Sequence, residues 1–136
     1  MRGEDAASRM APATCEYRTN TVSGWTVRVD ARLLDRHAAE TGRALELLRV
    51  QLDEVARVVP KDAVKHLREV PLWFSPAYAG VGPRAEYHPD AGWLVSNRRN
   101  PAMAKGVEFT NIPQFEAETR RMPNFALHEL AHAYHD

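Results

Sequence analysis

The sequence predicts an α+β fold: one mixed, twisted sheet of short strands, with a long helix and a C-terminal helix on one face. Three observations support this prediction. Residues with the period-two alternation of strands occur near the N-terminus and again between residues 70 and 112. The strongest helical pattern covers residues 43–59. A second amphipathic helix, which carries histidines, closes the chain.

Composition is that of a soluble globular protein and excludes several classes of partner. The chain has 136 residues, of which 44% are hydrophobic and 26% charged, and its formal net charge is zero. A balanced chain with no basic run argues against nucleic acid or an anionic membrane as partner. No apolar stretch approaches the roughly 20 residues of a membrane span. Because no signal peptide is visible, we expect a cytoplasmic protein by default.

The N-terminal part divides into a tail and the start of a single domain. Residues 1–13 lack periodicity and predict a flexible tail, so the domain is expected to cover residues 14–136. Cys15 is the only cysteine, which excludes an internal disulfide. Residues 16–22 and 25–30 have strand composition and are separated by a Ser-Gly turn signal, which predicts a β-hairpin.

Helices are expected after the hairpin. Asp30 can cap a short helix over residues 31–40, which Thr41 and Gly42 interrupt. The helix over residues 43–59 has an apolar stripe and ends at Pro60. A coiled-coil seam of two and a half heptads would be too short, so we expect a helix that packs on the sheet. The stripe consists of Leu45, Leu48, Leu52, Val55 and Val59.

The next segment predicts a short helix and a strand. Residues 62–68 have helical character, and residues 70–74 alternate between apolar side chains and Pro71 or Trp73. Because proline cannot donate to a ladder, we expect this strand near a sheet edge. Residues 75–83 contain two prolines and two glycines and predict a loop.

Two further strands and a short helix are expected before the last helix. Residues 84–87 and 93–95 predict a second hairpin around a turn at 88–92. Residues 107–112 predict a strand with Val107 and Phe109 on one face and Glu108 and Thr110 on the other. A short helix is expected over 113–120, because Pro113 suits a first helical turn.

The C-terminal helix carries the candidate functional residues. His128 and His132 are separated by one turn, and two imidazoles so placed can bind one zinc ion. Glu129 follows the first histidine, so its carboxylate lies beside the metal and can accept a proton from a water molecule that the metal activates. Pro123 and Asn124 form a suitable helix start. The expected apolar stripe consists of Leu127, Leu130, Ala131 and Tyr134.

The run Phe125-Ala-Leu-His-Glu-Leu-Ala-His-Ala-Tyr-His-Asp136 resembles the active-site helix of zincin metallopeptidases, and most of all bacterial zinc peptidase domains related to the gluzincins. The resemblance implies a zincin-like fold, Zn²⁺ held by His128 and His132, and Glu129 as general base. It also implies a third ligand, a glutamate on a later helix. The given sequence stops four residues after His132, so the expectation is a domain whose C-terminal part is absent.

The resulting hypothesis is a zinc-dependent metallopeptidase that hydrolyses peptide bonds of a peptide or protein substrate. The alternative is a catalytically incomplete metal-binding or protein-interaction domain that lacks a third ligand. A zinc hydrolase acting on another amide is a weaker option, because the chemistry would be the same. A homodimer is one way to cover the apolar stripe of the last helix.

Other polar residues near the motif are weaker candidates for the site. His135 lies about 10.5 Å along the helix axis from His128, so we do not expect one zinc ion to reach both. Asp136 would at most support a ligand. His88, in a predicted turn, is a weak candidate for stabilising an oxyanion. In zincins an edge strand pairs with the substrate backbone, a role that the resemblance implies for residues 107–112.

Overall fold

The computed structural model describes residues 16–136, and within this range it contains a five-stranded mixed sheet and six α-helices. The predicted α+β class is therefore confirmed. Cys15 and the predicted tail, residues 1–13, lie outside the described residues.

The predicted N-terminal hairpin is present. Strands β1 (Tyr17–Val22) and β2 (Trp25–Asp30) pair antiparallel, with Val22 opposite Trp25. The two turn residues between them, Ser23 and Gly24, have φ angles of 50° and 90°. Positive φ at both central residues is the geometry that matches the twist of a two-residue hairpin.

The other three strands are β3 (Leu72–Phe74), β4 (Ala85–His88) and β5 (Gly106–Phe109), and the sheet order is β1-β2-β3-β5-β4. Strand β3 is central and parallel to both neighbours, so the expectation of a strand near an edge was wrong. Pro71 precedes β3 and contributes only its carbonyl, which accepts a hydrogen bond from Val107 N at 3.0 Å. The actual edge strand beside β5 is β4, which is antiparallel to it.

The first two helices are α1 (Ala31–Arg36) and α2 (Ala38–Val58). Asp30 caps α1 as predicted, accepting a hydrogen bond from Arg32 N at 2.8 Å. The chain breaks at His37, whose φ of −137° is not helical, and not at Thr41 and Gly42. Thr41 lies buried inside α2, where its hydroxyl donates to Leu33 O at 3.3 Å.

Four shorter helices follow. Helices α3 (Lys61–Leu67), α5 (Phe115–Arg121) and α6 (Phe125–His135) agree with the predicted helical segments. Helix α4 (Ala91–Ser96) replaces the strand expected at 93–95.

The apolar run at residues 93–95 is only three residues long, which is too short to distinguish a strand from a helix by its periodicity. Asp90 caps α4 through a 3.0 Å hydrogen bond from Gly92 N. Leu94 alone is fully buried, whereas Trp93 and Val95 are 43% and 61% exposed. A 3₁₀ helix, Pro101–Met103, follows α4.

The sheet has two different faces. On one face, α2 and α6 pack against the strands as predicted, and on the other Trp73 packs with Leu94 and Met103 beneath α4 and the 3₁₀ helix. None of the helices within residues 16–136 is long and apolar enough to cross a membrane. The main core includes Val27, Val29, Leu48, Leu52, Val55, Leu72, Phe74, Val107, Phe109, Phe125 and Leu130.

Candidate metal centre

The start of α6 is fixed to the middle of α2 by side-chain hydrogen bonds. Asn124 Oδ1 accepts from Leu127 N at 2.9 Å, which caps the helix as predicted. Gln51 Oε1 accepts from Ala126 N at 2.9 Å, and Asn124 Nδ2 donates to Gln51 O at 3.0 Å. Two of the free N–H groups of the first turn are thereby satisfied, and the helix is held in one position along α2.

The buried face of α6 differs from the predicted stripe. Phe125, Ala126 and Leu130 are buried, whereas Ala131 and Tyr134 are exposed. Tyr134 therefore does not pack in the core, and its ring instead contacts the imidazole of His66 edge-on at 5.6 Å. Apolar residues lie on adjacent sides of α6, and the side that packs against the sheet is the one that carries Phe125.

The two motif histidines converge on the exposed side of α6. Their Nε2 atoms are 3.3 Å apart, and their ring planes are nearly perpendicular. Two ligand atoms at about 2.0–2.1 Å from one zinc ion in a tetrahedron lie about 3.3–3.4 Å apart. His128 and His132 therefore already have the spacing that a shared zinc ion requires, although a hydrogen bond between the two rings fits the same distance.

Glu129 is held by the edge strand. Its Oε1 accepts a hydrogen bond from Tyr87 N at 2.9 Å, while its Oε2 lies 3.9 Å from His128 Nε2. Burial raises the pKa of the Glu129 carboxyl, and the Tyr87 N–H and the two histidines only partly oppose that effect. Oε1 is thus anchored to β4, and Oε2 faces the histidine pair. Because the carboxyl is partly buried, its protonated form is favoured more than in water.

A third protein ligand does not converge on the histidine pair within residues 16–136. In this range, the one group of three His, Cys, Asp or Glu side chains with ligand atoms within 4.8 Å of each other lies elsewhere. His135 does not join the pair, as expected. Asp136 instead accepts hydrogen bonds from Tyr87 Oη at 2.6 Å and Lys105 Nζ at 2.5 Å.

Tyr87 contacts α6 at two points that are two turns apart. Its backbone N–H holds Glu129, and its hydroxyl holds Asp136. Burial and the hydrogen bond to Asp136 raise the pKa of Tyr87 to about 12. The hydrogen bonds from Lys105 and Tyr87 lower the pKa of Asp136. The C-terminal half of the motif helix is therefore fastened to β4.

Strand β4, and not residues 107–112, forms the sheet edge beside the histidines, because β5 lies between β3 and β4. Two cavities adjoin this edge and share Glu129. The larger, of about 580 Å³, lies between β4 and α6 and is lined by Tyr87 and His132. The other, of about 300 Å³, lies on the His128 side. Together they leave the edge and the histidine pair accessible.

A second polar cluster, which the sequence did not predict, is formed by β4 and β5 on the side of the sheet that α4 covers. It combines Glu86, His88 and Glu108, whose ligand atoms all lie within 4.8 Å of one another. His88 is 2% exposed and stacks on Trp93 at 5.7 Å, so it is not the accessible turn histidine that was expected. It is the last residue of the edge strand β4, and its Nε2 is 2.8 Å from Glu108 Oε1.

The donors around this cluster fit an ion-pair network better than a metal site. Arg99 Nη1 lies 2.7 Å from Glu86 Oε2 and 3.4 Å from Glu108 Oε1, and Tyr78 Oη donates to Glu108 Oε2 at 2.5 Å. Both Glu108 oxygens thus have partners, and a guanidinium already supplies the positive charge. Burial alone would raise the pKa of Glu108, but hydrogen bonds from His88 and other donors outweigh it and lower the pKa.

Comparison of the chain with protein-family models, with curated proteins and with solved structures found no match. The resemblance to zincins therefore rests on the residues of the motif helix. The geometry around His128, Glu129 and His132 is the basis on which a function can be argued.

Proposed function

We propose that this chain is a zinc-dependent hydrolase domain that cleaves peptide bonds, with His128 and His132 as metal ligands and Glu129 as general base. The observation that carries the proposal is the arrangement of these three side chains. The two Nε2 atoms have the spacing of adjacent zinc ligands, and one Glu129 oxygen faces them while the other is anchored.

Each residue has a definite task in this proposal. Bound zinc would polarise the scissile carbonyl and acidify a water molecule. Glu129 Oε2 takes the proton of the attacking water and delivers it to the leaving amine. The hydrogen bond from Tyr87 N to Oε1 keeps the carboxylate in this orientation during both transfers.

The edge of β4 supports a peptide as substrate. Arg84 O accepts from Thr110 N at 2.8 Å and Glu86 pairs with Glu108, so these residues direct their backbone groups toward β5. The alternate residues Ala85 and Tyr87 direct theirs outward, and Tyr87 N already bonds Glu129. An extended peptide can add to such an edge through backbone hydrogen bonds, which would bring a peptide group next to the histidine pair.

A second candidate function is favoured by the lack of a third ligand among the described residues. A catalytic zinc site usually has three protein ligands and an open fourth position. With two histidines alone, the domain would bind metal weakly and serve as an incomplete metal-binding or protein-interaction domain. Activity as proposed requires a ligand from outside residues 16–136 or from a second copy of the chain.

Zinc binding separates the two candidates. We would titrate zinc into the purified chain and into His132→Ala, with His37→Ala as control because His37 is an exposed histidine at a helix boundary. One zinc per chain, bound tightly and lost only in His132→Ala, supports the metal centre. Weak binding that is equal in all three proteins would contradict it.

Hydrolysis is then tested with Glu129→Gln. Glutamine retains an oxygen that can accept from Tyr87 N but cannot take up the proton of water. We expect zinc binding to persist in this variant while cleavage of a mixed peptide library falls by about 10²-fold or more. Equal cleavage by the parent chain and the variant would refute the role of Glu129.

A further inference from the structure

The part of α6 that carries His132 is not held by burial. Leu130 is the last fully buried residue of the helix, and the residues from Ala131 to His135 are exposed or half-buried. Apolar contacts therefore fix the first half of α6 on the sheet, whereas the turn that begins at His132 depends on polar contacts for its position.

Asp136 connects this turn to the sheet. Its backbone N–H donates to His132 O at 3.1 Å and closes the last helical turn. Its side-chain Oδ2 accepts from Tyr87 Oη at 2.6 Å and from Lys105 Nζ at 2.5 Å. We call this group of Tyr87, Lys105 and Asp136 the Asp136 latch. Through the latch, the turn that begins at His132 is tied to the edge of the sheet.

Both donors of the latch start from backbone that the sheet holds in place. Tyr87 lies within β4, and its N–H donates to Glu129 Oε1. Lys105 directly precedes β5, and its N–H donates to His88 O, the carbonyl of the last residue of β4, at 2.6 Å. Asp136 therefore meets two donors whose backbones are already fixed relative to each other.

His132 lies between two contacts that Tyr87 makes with α6. Glu129, three residues earlier, accepts from Tyr87 N, and Asp136, four residues later, accepts from Tyr87 Oη. Residues with these separations lie on one side of a helix. All four residues also line the cavity of about 580 Å³ between β4 and α6. The position of His132 beside β4 is thus determined from both sides.

The latch is too exposed to contribute much to the stability of the fold. The Lys105 and Asp136 side chains are 65% and 33% exposed, and ion pairs at such positions stabilise proteins little because water and salt weaken them. The effect of the latch should therefore appear in the local geometry of the last turn rather than in Tm.

We propose that Tyr87 and Lys105 are positioning residues for His132, and that by holding Asp136 they keep the last turn of α6 closed and the His132 ring beside that of His128. The Nε2 atoms of the two rings are 3.3 Å apart only while this turn stays helical. When the turn opens, His132 moves away from His128 and the two rings no longer share one zinc ion. The proposal rests on the proposed function only in taking His132 as a metal ligand.

Removing the Tyr87 hydroxyl tests the proposal. Tyr87→Phe retains the ring and the backbone N–H and removes only the donor to Asp136. We expect the affinity for zinc alone, measured by calorimetry, to fall about tenfold, as for other residues that support a metal ligand. Tm should fall by no more than about 5 °C. Tyr134→Phe, which removes an exposed hydroxyl from the same helix, should change neither quantity.

Lys105 offers a conservative substitution as a second test. Lys105→Met removes the charge and the donor, so the zinc affinity should fall as in Tyr87→Phe. Lys105→Arg can still donate to the Asp136 carboxylate and should keep the affinity of the parent chain. Equal losses in the two Lys105 variants would overturn the proposed role of this residue.

Two NMR measurements on the metal-free chain do not depend on zinc. Exchange of the Asp136 amide hydrogen should be about tenfold faster in Tyr87→Phe, while that of Ala126, which donates to Gln51, should stay unchanged. The nuclear Overhauser effect between the rings of His128 and His132, whose centroids are 4.8 Å apart, should weaken. An unchanged ring contact in Tyr87→Phe would overturn the proposal.

The outcomes separate this proposal from the proposed function. A parent chain that binds no zinc, with a ring contact that weakens in Tyr87→Phe, would refute the metal centre and support the positioning of His132. Tight zinc binding that is the same in the parent chain, Tyr87→Phe and Tyr134→Phe would refute only the positioning role.

Discussion

Replacing Arg99 by methionine tests whether the buried network that joins Arg99 to Glu86 and Glu108 stabilises the fold. Arg99 is 6% exposed, and its Nη1 lies 2.7 Å from Glu86 Oε2 and 3.4 Å from Glu108 Oε1. Its guanidinium lies over the rings of Tyr78, at 4.2 Å, and Trp93, at 4.8 Å. Methionine preserves much of the apolar stem between these rings, so the change removes mainly the charge and its hydrogen bonds.

The loss should be large because the two carboxylates are cross-strand neighbours. Glu86 and Glu108 stand opposite each other in β4 and β5, and the Glu108 side chain is fully buried. Removing one partner of a buried ion pair typically costs about 3–5 kcal/mol. For a domain of this size, 1 kcal/mol corresponds to about 3–5 °C in Tm, so we expect Arg99→Met to lower Tm by roughly 10–20 °C.

Thermal and urea unfolding followed by circular dichroism would measure this loss. Arg28→Met is the matched control, since Arg28 lies on an exposed position of β2 with its guanidinium 5.2 Å from the Trp73 ring, and it should cost less than about 1 kcal/mol. Adding Glu108→Gln to Arg99→Met should recover much of the loss, because the buried side chain that has lost the guanidinium then carries no charge. A change in Arg99→Met no greater than that of the control would refute the reasoning.

The same network predicts a pH dependence. The pKa of Glu108 is lowered in the folded chain, so its ionised form stabilises the fold. That contribution is present above the ordinary pKa of 4.5 and is lost as pH falls through the lower pKa of the folded state. The acid side of a Tm–pH curve should therefore flatten in Glu108→Gln, and an unchanged curve would contradict the assignment.

Three further predictions concern the motif helix. Leu130→Ala, at a fully buried position, should lower the unfolding free energy by about 2–5 kcal/mol in denaturant titrations, and a loss below 1 kcal/mol would show that α6 is loosely packed. Gln51→Ala leaves Ala126 N unpaired and should cost about 1–3 kcal/mol while weakening zinc binding, which calorimetry would detect. Glu129→Gln should raise Tm at pH 7, because burial raises the pKa of this carboxyl and its ionised form is disfavoured in the folded chain. The gain should vanish below pH 4.5, where the carboxyl is protonated in both the folded and the unfolded chain. A lower Tm at pH 7 would refute this prediction.

The sequence predicted correctly those elements that are determined by residues close to each other in the chain. The hairpin was predictable because Ser23 and Gly24 separate two segments of strand composition. Helix α2 was predictable because Leu48, Leu52 and Val55 repeat at helical spacing. The central position of β3 was not predictable, since it depends on pairing with β2 and β5, which are distant in sequence. Pro71 was misleading because it lies just before the strand and not within it.

In the candidate site, too, the local features were predictable and the long-range contacts were not. His128 and His132 were placed correctly relative to each other because one helix turn fixes their spacing. The partners of the site were missed because they are distant in the chain: Tyr87 N reaches Glu129 across 42 residues, and Gln51 reaches Ala126 across 75. A glutamate at 108 between apolar residues was the one signal of a buried polar cluster, and its burial could not be read from the alternation.

The long separation between Gln51 and Ala126 has a consequence for how the chain acquires its site. The helix that carries the histidines is the last described element, and it packs on α2 and on the edge of a sheet whose parallel pairs join residues more than 30 apart. Closing such long loops precedes any gain from the contacts, so refolding should be slow for a chain of this length. The spacing of the two histidine rings needs only one helix turn, whereas their position beside β4 depends on these long-range contacts, so a variant that loosens the contacts can keep the pair and still misplace it relative to the edge strand.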